Sequence, residues 1–423
     1  MNFKPKALVY PAREKVTLTL NPVFPVTIDA KNDYALALYP FSGLKCYALR
    51  DRQDGPGKDE AEFFSHAHKM QFSENSLTLE LSFPQEDCYI CFLHVNGQRV
   101  DRFELYALDG DLFERAPYRG DNHMHTYMSD GKESPAYMAA AACKNGNDYC
   151  VITDHHEYEP SLIAKRFFEA TGVDFLVIPG EEVHSPDNPV HIINLGGTES
   201  VNAWWKTDDT DYRNAVAREM ELVPECMTDA NRFSAAACQA VFEKIKSVDG
   251  VSVLCHPNWI VGLGFNESED VTEYLFDNRR FDALELIAGG AFEAGTQMQI
   301  SFYHDRPEMP ILGSSDTHGC FNDELEPGNY TIVFAKEYTV DGIKDAIRNK
   351  YTVAGNQNKL YGSYRLVKFA YFLRRNFYSE HTLARKRLGS EMLRVASACD
   401  NTSGRAQRLK ETRPSELFGK IKY

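Results

Sequence analysis

The sequence predicts an α/β protein built on a closed or distorted βα barrel, preceded by a small antiparallel β unit and followed by a basic helical tail. Three observations point there: short alternating segments before about Leu108, apolar runs alternating with helical patterns after Gly120, and a composition that supplies a sizeable core. At 43% hydrophobic and 25% charged, the 423-residue chain is ordinary globular material, and its length calls for two or three structural units.

The first unit, residues 1–115, is read from segments such as Val16–Leu20, Tyr34–Tyr39 and Leu77–Ser82, where apolar and polar positions alternate between clusters of Gly, Pro, Asn and Asp. A small β-sandwich follows. The second, residues 116–360, carries the apolar runs Tyr149–Thr153, Phe175–Ile178, Val251–Cys255, Ala283–Ile287 and Ile311–Gly313, each followed by a helical pattern, which implies parallel βα units. Residues 198–250, beginning with the aromatic and charged stretch Trp204–Tyr212, exceed a normal connection and are expected to form a lid. The third, residues 361–423, is helical from Arg365 to about Ala398, with a loosely ordered end around Gly404 and Pro414.

Charge is unevenly distributed. Residues 361–423 hold 14 Lys plus Arg against 5 Asp plus Glu, a balance of +9, so the remaining 360 residues carry −24 of the total −15. An acidic body repels polyanions except where bound cations reverse the field, which argues against a long nucleic-acid groove there. Neither a bilayer-length apolar run nor an apolar leader at the start is present, and the 10 cysteines form no regular framework, so a cytoplasmic protein is expected.

Histidines and carboxylates gather in short motifs where predicted strands end, the position at which βα barrels carry their chemistry. In order they are Asp121-Asn-His123-Met-His125 followed by Ser129-Asp130-Gly131, then Asp154-His155-His156, then Gly180-Glu181-Glu182 with His191, then His256-Pro-Asn258, and last Asp316-Thr-His318. In an extended strand residues i and i+2 share a face, so His123 and His125 can bind one ion together. A lone strand-end histidine is usually a hydrogen-bonded structural residue. So many such motifs in one domain make coincidence implausible.

These motifs, over about 200 residues and in order, resemble those of the polymerase and histidinol phosphatase (PHP) superfamily. The resemblance implies a distorted (βα)7-type barrel, up to three divalent transition-metal ions, and phosphoester hydrolysis. His123, His125, Glu182 and Asp316 would hold the first ion. Glu182 would bridge to a second, held also by His191 and His256. A third would sit between His155 and His318, with Asp130 as a further ligand. Glu182 is chosen over Glu181 because the family pattern is Gly-x-Glu. Such imidazole and carboxylate ligands suit zinc, manganese or iron, and a pair of ions about 3.5 to 4 Å apart can activate a hydroxide and bind phosphate oxygens. Leaving-group protonation could come from metal-bound water or from Asp154 or His156, both of which could instead orient His155.

The expected substrate is a small phosphorylated metabolite such as a nucleotide or sugar phosphate. The alternatives are a nuclease or other phosphodiesterase, mildly favoured by the basic tail as a nucleic-acid contact, and a metal-binding regulatory module without activity. The first alternative predicts strong salt dependence on oligonucleotides, and the second predicts missing ligands. Docking of the tail against the acidic body is the plainer reading of Arg374-Arg375 and Arg385-Lys-Arg387. His66-Ala-His68 lacks acidic companions, and Cys88 with Cys91 is a single pair without a second, so both are read as structural. Cys255, Cys320 and the three tryptophans are read as packing groups that flank the site. No membrane contact is expected, and the oligomeric state is left open.

Overall fold

A computed structural model describes residues 2–43, 67–73, 75–289, 293–306, 309–320, 328–397 and 422. His66 and the stretch around Gly404 and Pro414 lie outside the described residues. Among those described, residues 2–115, 375–377 and 422 form one unit, and residues 116–374 with 378–397 form the other. Most of the tail expected as a third segment therefore belongs to the second unit.

The first unit holds two sheets. Strands β1 (Phe3–Pro5), β3 (Lys15–Pro22), β6 (Gln71–Phe72) and β7 (Leu77–Ser82) make one, in the order β1-β3-β7-β6. The other is β2-β9-β8-β4-β5, from β2 (Val9–Pro11), β4 (Tyr34–Pro40), β5 (His68–Lys69), β8 (Asp87–Val95) and β9 (Gln98–Leu108). Pairing is antiparallel except for β2 with β9, which run parallel. Both sheets contribute to one core: Val16, Leu18, Leu20 and Leu79 from the first, Leu36, Cys91, Leu93 and Leu105 from the second. The i, i+2 spacing of these residues is what puts them on one face. Cys88 and Cys91 are buried on β8.

The second unit contains a six-stranded sheet, β12-β11-β10-β20-β21-β22, and a five-stranded sheet, β13-β14-β15-β18-β19. Their strands are β10 (Ala116–Asp121), β11 (Tyr149–Val151), β12 (Leu176–Ile178), β13 (Gly180–His184), β14 (His191–Leu195), β15 (Val251–Leu254), β18 (Ala283–Ile287), β19 (Ile311–Gly313), β20 (Tyr330–Ala335), β21 (Thr352–Gly355) and β22 (Leu360–Tyr361). A separate hairpin is formed by β16 (Ile260–Val261) and β17 (Gly264–Phe265). The mixed α/β architecture is as expected, and the distortion of the barrel expected here has a definite form. Parallel pairs β10–β11, β11–β12, β15–β18 and β18–β19 are interrupted by antiparallel β13–β14–β15, and no helix separates β13 from β14. The two sheets are nonetheless joined where the motifs lie, by the bridges Met124↔Thr317 and His155↔Glu182.

Pro179 and Gly180 carry the chain from β12 in one sheet to β13 in the other. A Cβ at Gly180 would sit 2.5 Å from Val151 Cγ1 and 3.1 Å from the Asn194 carbonyl, so the crossing requires glycine.

The later part of residues 198–250 packs into the core. Helix Asp229–Ser247, capped by Thr228 Oγ1 accepting from Asn231 N at 3.2 Å, buries Ala235, Ala236, Ala237, Cys238, Val241, Phe242 and Ile245 in the main core. The tail docks in a similar way. Helix Tyr378–Ala396 places His381 and Arg385 in the interior, where Asp148 Oδ1 accepts from Arg385 Nε at 2.8 Å and contacts His381 Nε2 at 2.7 Å. Among the described residues no helix is long and apolar enough to cross a membrane.

Glu267, which precedes helix Glu269–Asp277, is buried and neither carboxylate oxygen has a hydrogen-bond partner among the described residues. Burial, reinforced by Asp270, pushes its pKa up to about 8. The folded state thus holds this proton more tightly than the unfolded chain does, and its stabilising contribution fades as pH rises from about 4.3 toward that value. Glu267→Gln is expected to gain on the order of 1 kcal/mol over wild type at pH 8, and less at pH 5, in paired thermal melts.

Candidate metal centre

Glu182 is the hub. It lies on β13, fully buried, and its carboxylate meets six imidazoles. Oε2 is 2.8 Å from His155 Nδ1, 3.3 Å from His123 Nε2 and 3.5 Å from His125 Nε2. Oε1 is 2.8 Å from His191 Nδ1, 3.5 Å from His256 Nε2 and 3.8 Å from His184 Nε2. Alternation along β13 turns its neighbour Glu181 the other way, where it accepts from Asn194 Nδ2 at 3.1 Å, Ser200 Oγ at 2.7 Å and Asn202 Nδ2 at 2.9 Å.

The other motifs converge on this carboxylate. Asp316 Oδ1 stands 3.3 Å from His123 Nε2 and 3.1 Å from His125 Nε2. Asp121 Oδ1 accepts from Ser315 N at 2.9 Å, and Asp316 N donates to the His123 carbonyl at 3.0 Å, which ties the first motif to the last. Asp130 reaches His155 Nε2 at 3.4 Å and His318 Nε2 at 3.2 Å. It gets there because the loop Thr126–Gly131 folds tightly back: a Cβ on Gly131 would lie 2.7 Å from the His125 carbonyl carbon and oxygen.

Asp154 serves that loop. Its buried carboxylate accepts from Thr126 N and Oγ1 at 2.9 Å and from Ser129 Oγ at 2.7 Å, and none of the candidate ligand groups includes it. His156 sits on the exposed rim with its ring 4.7 Å from that of His184. Burial, together with His184 and His155, holds its pKa below the usual histidine value. The structure thus gathers His123, His125, Asp130, His155, Glu182, His191, His256, Asp316 and His318, and leaves Asp154 and His156 outside the gathered set.

Two residues of the cluster were missed in the sequence. Glu285 on β18 receives His123 Nδ1 at 3.0 Å and the His256 backbone N–H at 3.1 Å. A carboxylate two residues into the apolar run Ala283–Ile287 was the available signal. His184 follows Glu182 at the i, i+2 spacing that singled out His123 and His125, and its Nε2 lies 2.8 Å from His155 Nδ1. Glu285 fixes which nitrogen of His123 faces Glu182, and it also stands with His123, Cys255 and His256 as a candidate ligand group. Glu285→Gln is therefore expected to weaken divalent-metal affinity about 10- to 100-fold, read by competition with a chelating dye.

Electrostatics and backbone both carry strain. Burial disfavours every imidazolium here, and it prevails at His125, His184 and His191, whereas neighbouring carboxylates outweigh it at His123, His155 and His256. Imidazoles kept neutral are ready to coordinate without first losing a proton. Asp316 is held well below the ordinary carboxylate range, since His123 and His125 overcome the effect of its burial. His156, His256 and Asp316 adopt φ of 61°, 30° and 50°, a region that costs non-glycine residues energy and clusters at functional sites.

The donor set fits divalent cations. Among the described residues, His123 Nε2, His125 Nδ1, Glu182 Oε2 and His191 Nδ1 are buried without a hydrogen-bond partner, an arrangement that costs energy unless another group satisfies them. Ligand atoms of His123, His125 and Asp316, of Glu182, His191 and His256, and of His125, Asp130, His155 and His318 lie within 4.8 Å of one another in each group.

The chain is similar to PHP-type metal-dependent phosphoesterases. No family model matches it. A DNA polymerase/3'-5' exonuclease PolX from Bacillus subtilis (strain 168) is 28% identical over 166 residues, 36% of this chain and 28% of that protein, so the chain spans little more than a quarter of this relative. Among solved structures, a two-domain protein from Bacteroides vulgatus ATCC 8482, described as containing a predicted PHP-like metal-dependent phosphoesterase, is 20% identical with a TM-score of 0.44, covering 60% of this chain and 69% of that one. A protein from Bifidobacterium adolescentis ATCC 15703, described provisionally as a metal-dependent phosphoesterase, is 18% identical with a TM-score of 0.35, covering 60% and 96%. Neither TM-score reaches 0.5.

Proposed function

We propose that this chain is a metal-dependent phosphoesterase that hydrolyses a phosphomonoester of a small metabolite. The observation that supports this most is the buried Glu182 carboxylate shared among six histidines, with unsatisfied imidazole nitrogens around it. His123, His125, Glu182 and Asp316 would hold one ion, Glu182, His191 and His256 a second, and His155, His318 and Asp130 a third. Two to three zinc, manganese or iron ions, when bound, supply Lewis-acid charge for phosphate oxygens and for water at neutral pH.

The protein's own groups do the positioning. Glu285 and Asp154 hold His123 and the Asp130 loop in place, and the strained backbone at His256 and Asp316 keeps their side chains aimed inward. His156 and His184, on the solvent side, are the titratable groups placed to meet a leaving group.

The test is metal analysis of purified protein with a phosphatase screen over mononucleotides, sugar phosphates and an aryl phosphate, beside His123→Ala and Asp316→Ala. Two or three ions per chain and turnover lost in both variants is the expected outcome. Substoichiometric metal after loading, with no variant-sensitive turnover, would sink the proposal in favour of a binding module. The PolX likeness and the basic residues of the tail favour a second reading, cleavage of oligonucleotide phosphodiesters. That reading requires oligonucleotide turnover that falls steeply with added salt.

A further inference from the structure

Beside the candidate metal centre lies a cavity of about 350 Å³ whose lining is unlike the rest of this acidic chain. Its wall begins at Ile287, Ala288 and Gly289, directly after β18, and a Cβ on Gly289 would stand 3.9 Å from Asp316 Oδ2. The opposite wall is the turn between β21 and β22, with Asn356, Gln357, Asn358 and Lys359. Thr296, Gln297 and Asn329 add to the polar lining, and no carboxylate is among the described lining residues.

The turn is built rather than loose. Asn356 Oδ1 accepts from the backbone N–H groups of Asn358 at 3.0 Å and Lys359 at 2.9 Å, while Asn356 N donates to the Lys359 carbonyl at 3.0 Å. Arg374 of the basic tail donates to the Asn356 carbonyl at 2.7 Å and to Tyr330 Oη at 2.8 Å, which anchors the turn from behind. The side chains of Gln297, Asn329, Gln357, Asn358 and Lys359 make no hydrogen bond or ion pair with any described residue.

Neutral amides that both donate and accept, with one ammonium and no carboxylate, match a dense array of hydroxyl groups. The volume falls in the range of small-ligand sites, roughly 300–1,000 Å³, and Tyr361 is the one aromatic side chain among the described lining residues, itself packed against the core. A nucleobase would be sought by stacking faces, of which the described lining residues offer Tyr361 alone. We propose that the cavity receives the uncharged, polyhydroxylated part of a sugar or polyol phosphate whose phosphate sits at the metal centre. The inference rests on the phosphoesterase reading and narrows its substrate class.

The test uses the full-length protein with Gln297→Ala, Asn358→Ala and the double variant, none of which touches the metal-ligand set. Two readouts are taken on manganese-loaded protein: turnover of para-nitrophenyl phosphate against ribose phosphate, and calorimetric binding of ribose phosphate. The proposal expects the double variant to lose about 10-fold or more in ribose phosphate affinity and kcat/KM, with aryl phosphate turnover within about 2-fold of wild type. Equal losses on both esters, or unchanged ribose phosphate binding, would overturn it. Should wild type turn over neither ester, the phosphoesterase reading fails, and the binding comparison still decides whether the cavity takes a sugar phosphate.

Discussion

Glu182→Gln is expected to leave a folded protein that no longer retains its ions, with phosphoester turnover down by roughly 10³-fold or more, the scale of several kcal/mol of lost transition-state stabilisation. The substitution keeps the side chain's size but removes its charge and turns one of its two ligand oxygens into an NH2 donor. That charge is what the nearby nitrogens of His123, His155 and His191 face at 3.3, 2.8 and 2.8 Å, and two candidate ion positions share it. Metal content by mass spectrometry, turnover and circular dichroism on one preparation check the result. Glu181→Gln is the matched control: its bonds to Asn194, Ser200 and Asn202 are structural, so it should lower the melting temperature and keep the metal. A Glu182→Gln protein with full metal and full turnover would show that the hub is not a ligand.

The second large effect concerns stability. Asp148→Ala should cost roughly 3–5 kcal/mol, because it strands the buried Arg385 without its counter-charge and leaves His381 without its partner. Arg385 donates to the Asp174 carbonyl as well, at 2.6 Å, but that bond cannot neutralise it. Burial raises the Asp148 pKa, and His381 and Arg385 more than reverse that, leaving it below the usual value. A depressed folded-state pKa gives stability that is present above about pH 4 and is lost as pH falls through the folded value. Urea unfolding of wild type and variant at pH 7 measures the difference directly; a loss under about 1 kcal/mol would mean that the cluster contributes little.

The metal-binding motifs were legible because each depends on short-range geometry. His123 and His125 share a strand face, and apolar runs such as Tyr149–Thr153 and Phe175–Ile178 announce where the chain delivers its polar residues. Strand direction has no such local signature, so the antiparallel run β13–β14–β15 looked like further βα units. Glu285 was hidden for a related reason: one carboxylate in an apolar run reads as a solvated position until the fold shows His123 beside it. The region expected to form a lid carries charges at both ends, which masked the alanine-rich face of helix Asp229–Ser247. Docking of the tail was legible from its charge, but not that Arg385 would be the buried contact, because its partner Asp148 lies far away in sequence.

The bridge between Met124 and Thr317 has a consequence for vectorial synthesis. His123 and His125 emerge from the ribosome early, while the segment that carries Asp316 and His318 emerges only after β14, β15 and β18 have been made. Loop closure over such a separation is slow compared with helix or hairpin formation, so the first two histidines wait unpaired in a nascent chain. An ion captured during that interval would be held by an incomplete set. The candidate ligand set is complete only when the last motif joins the first, so any metal loading is expected to come late in the life of the polypeptide.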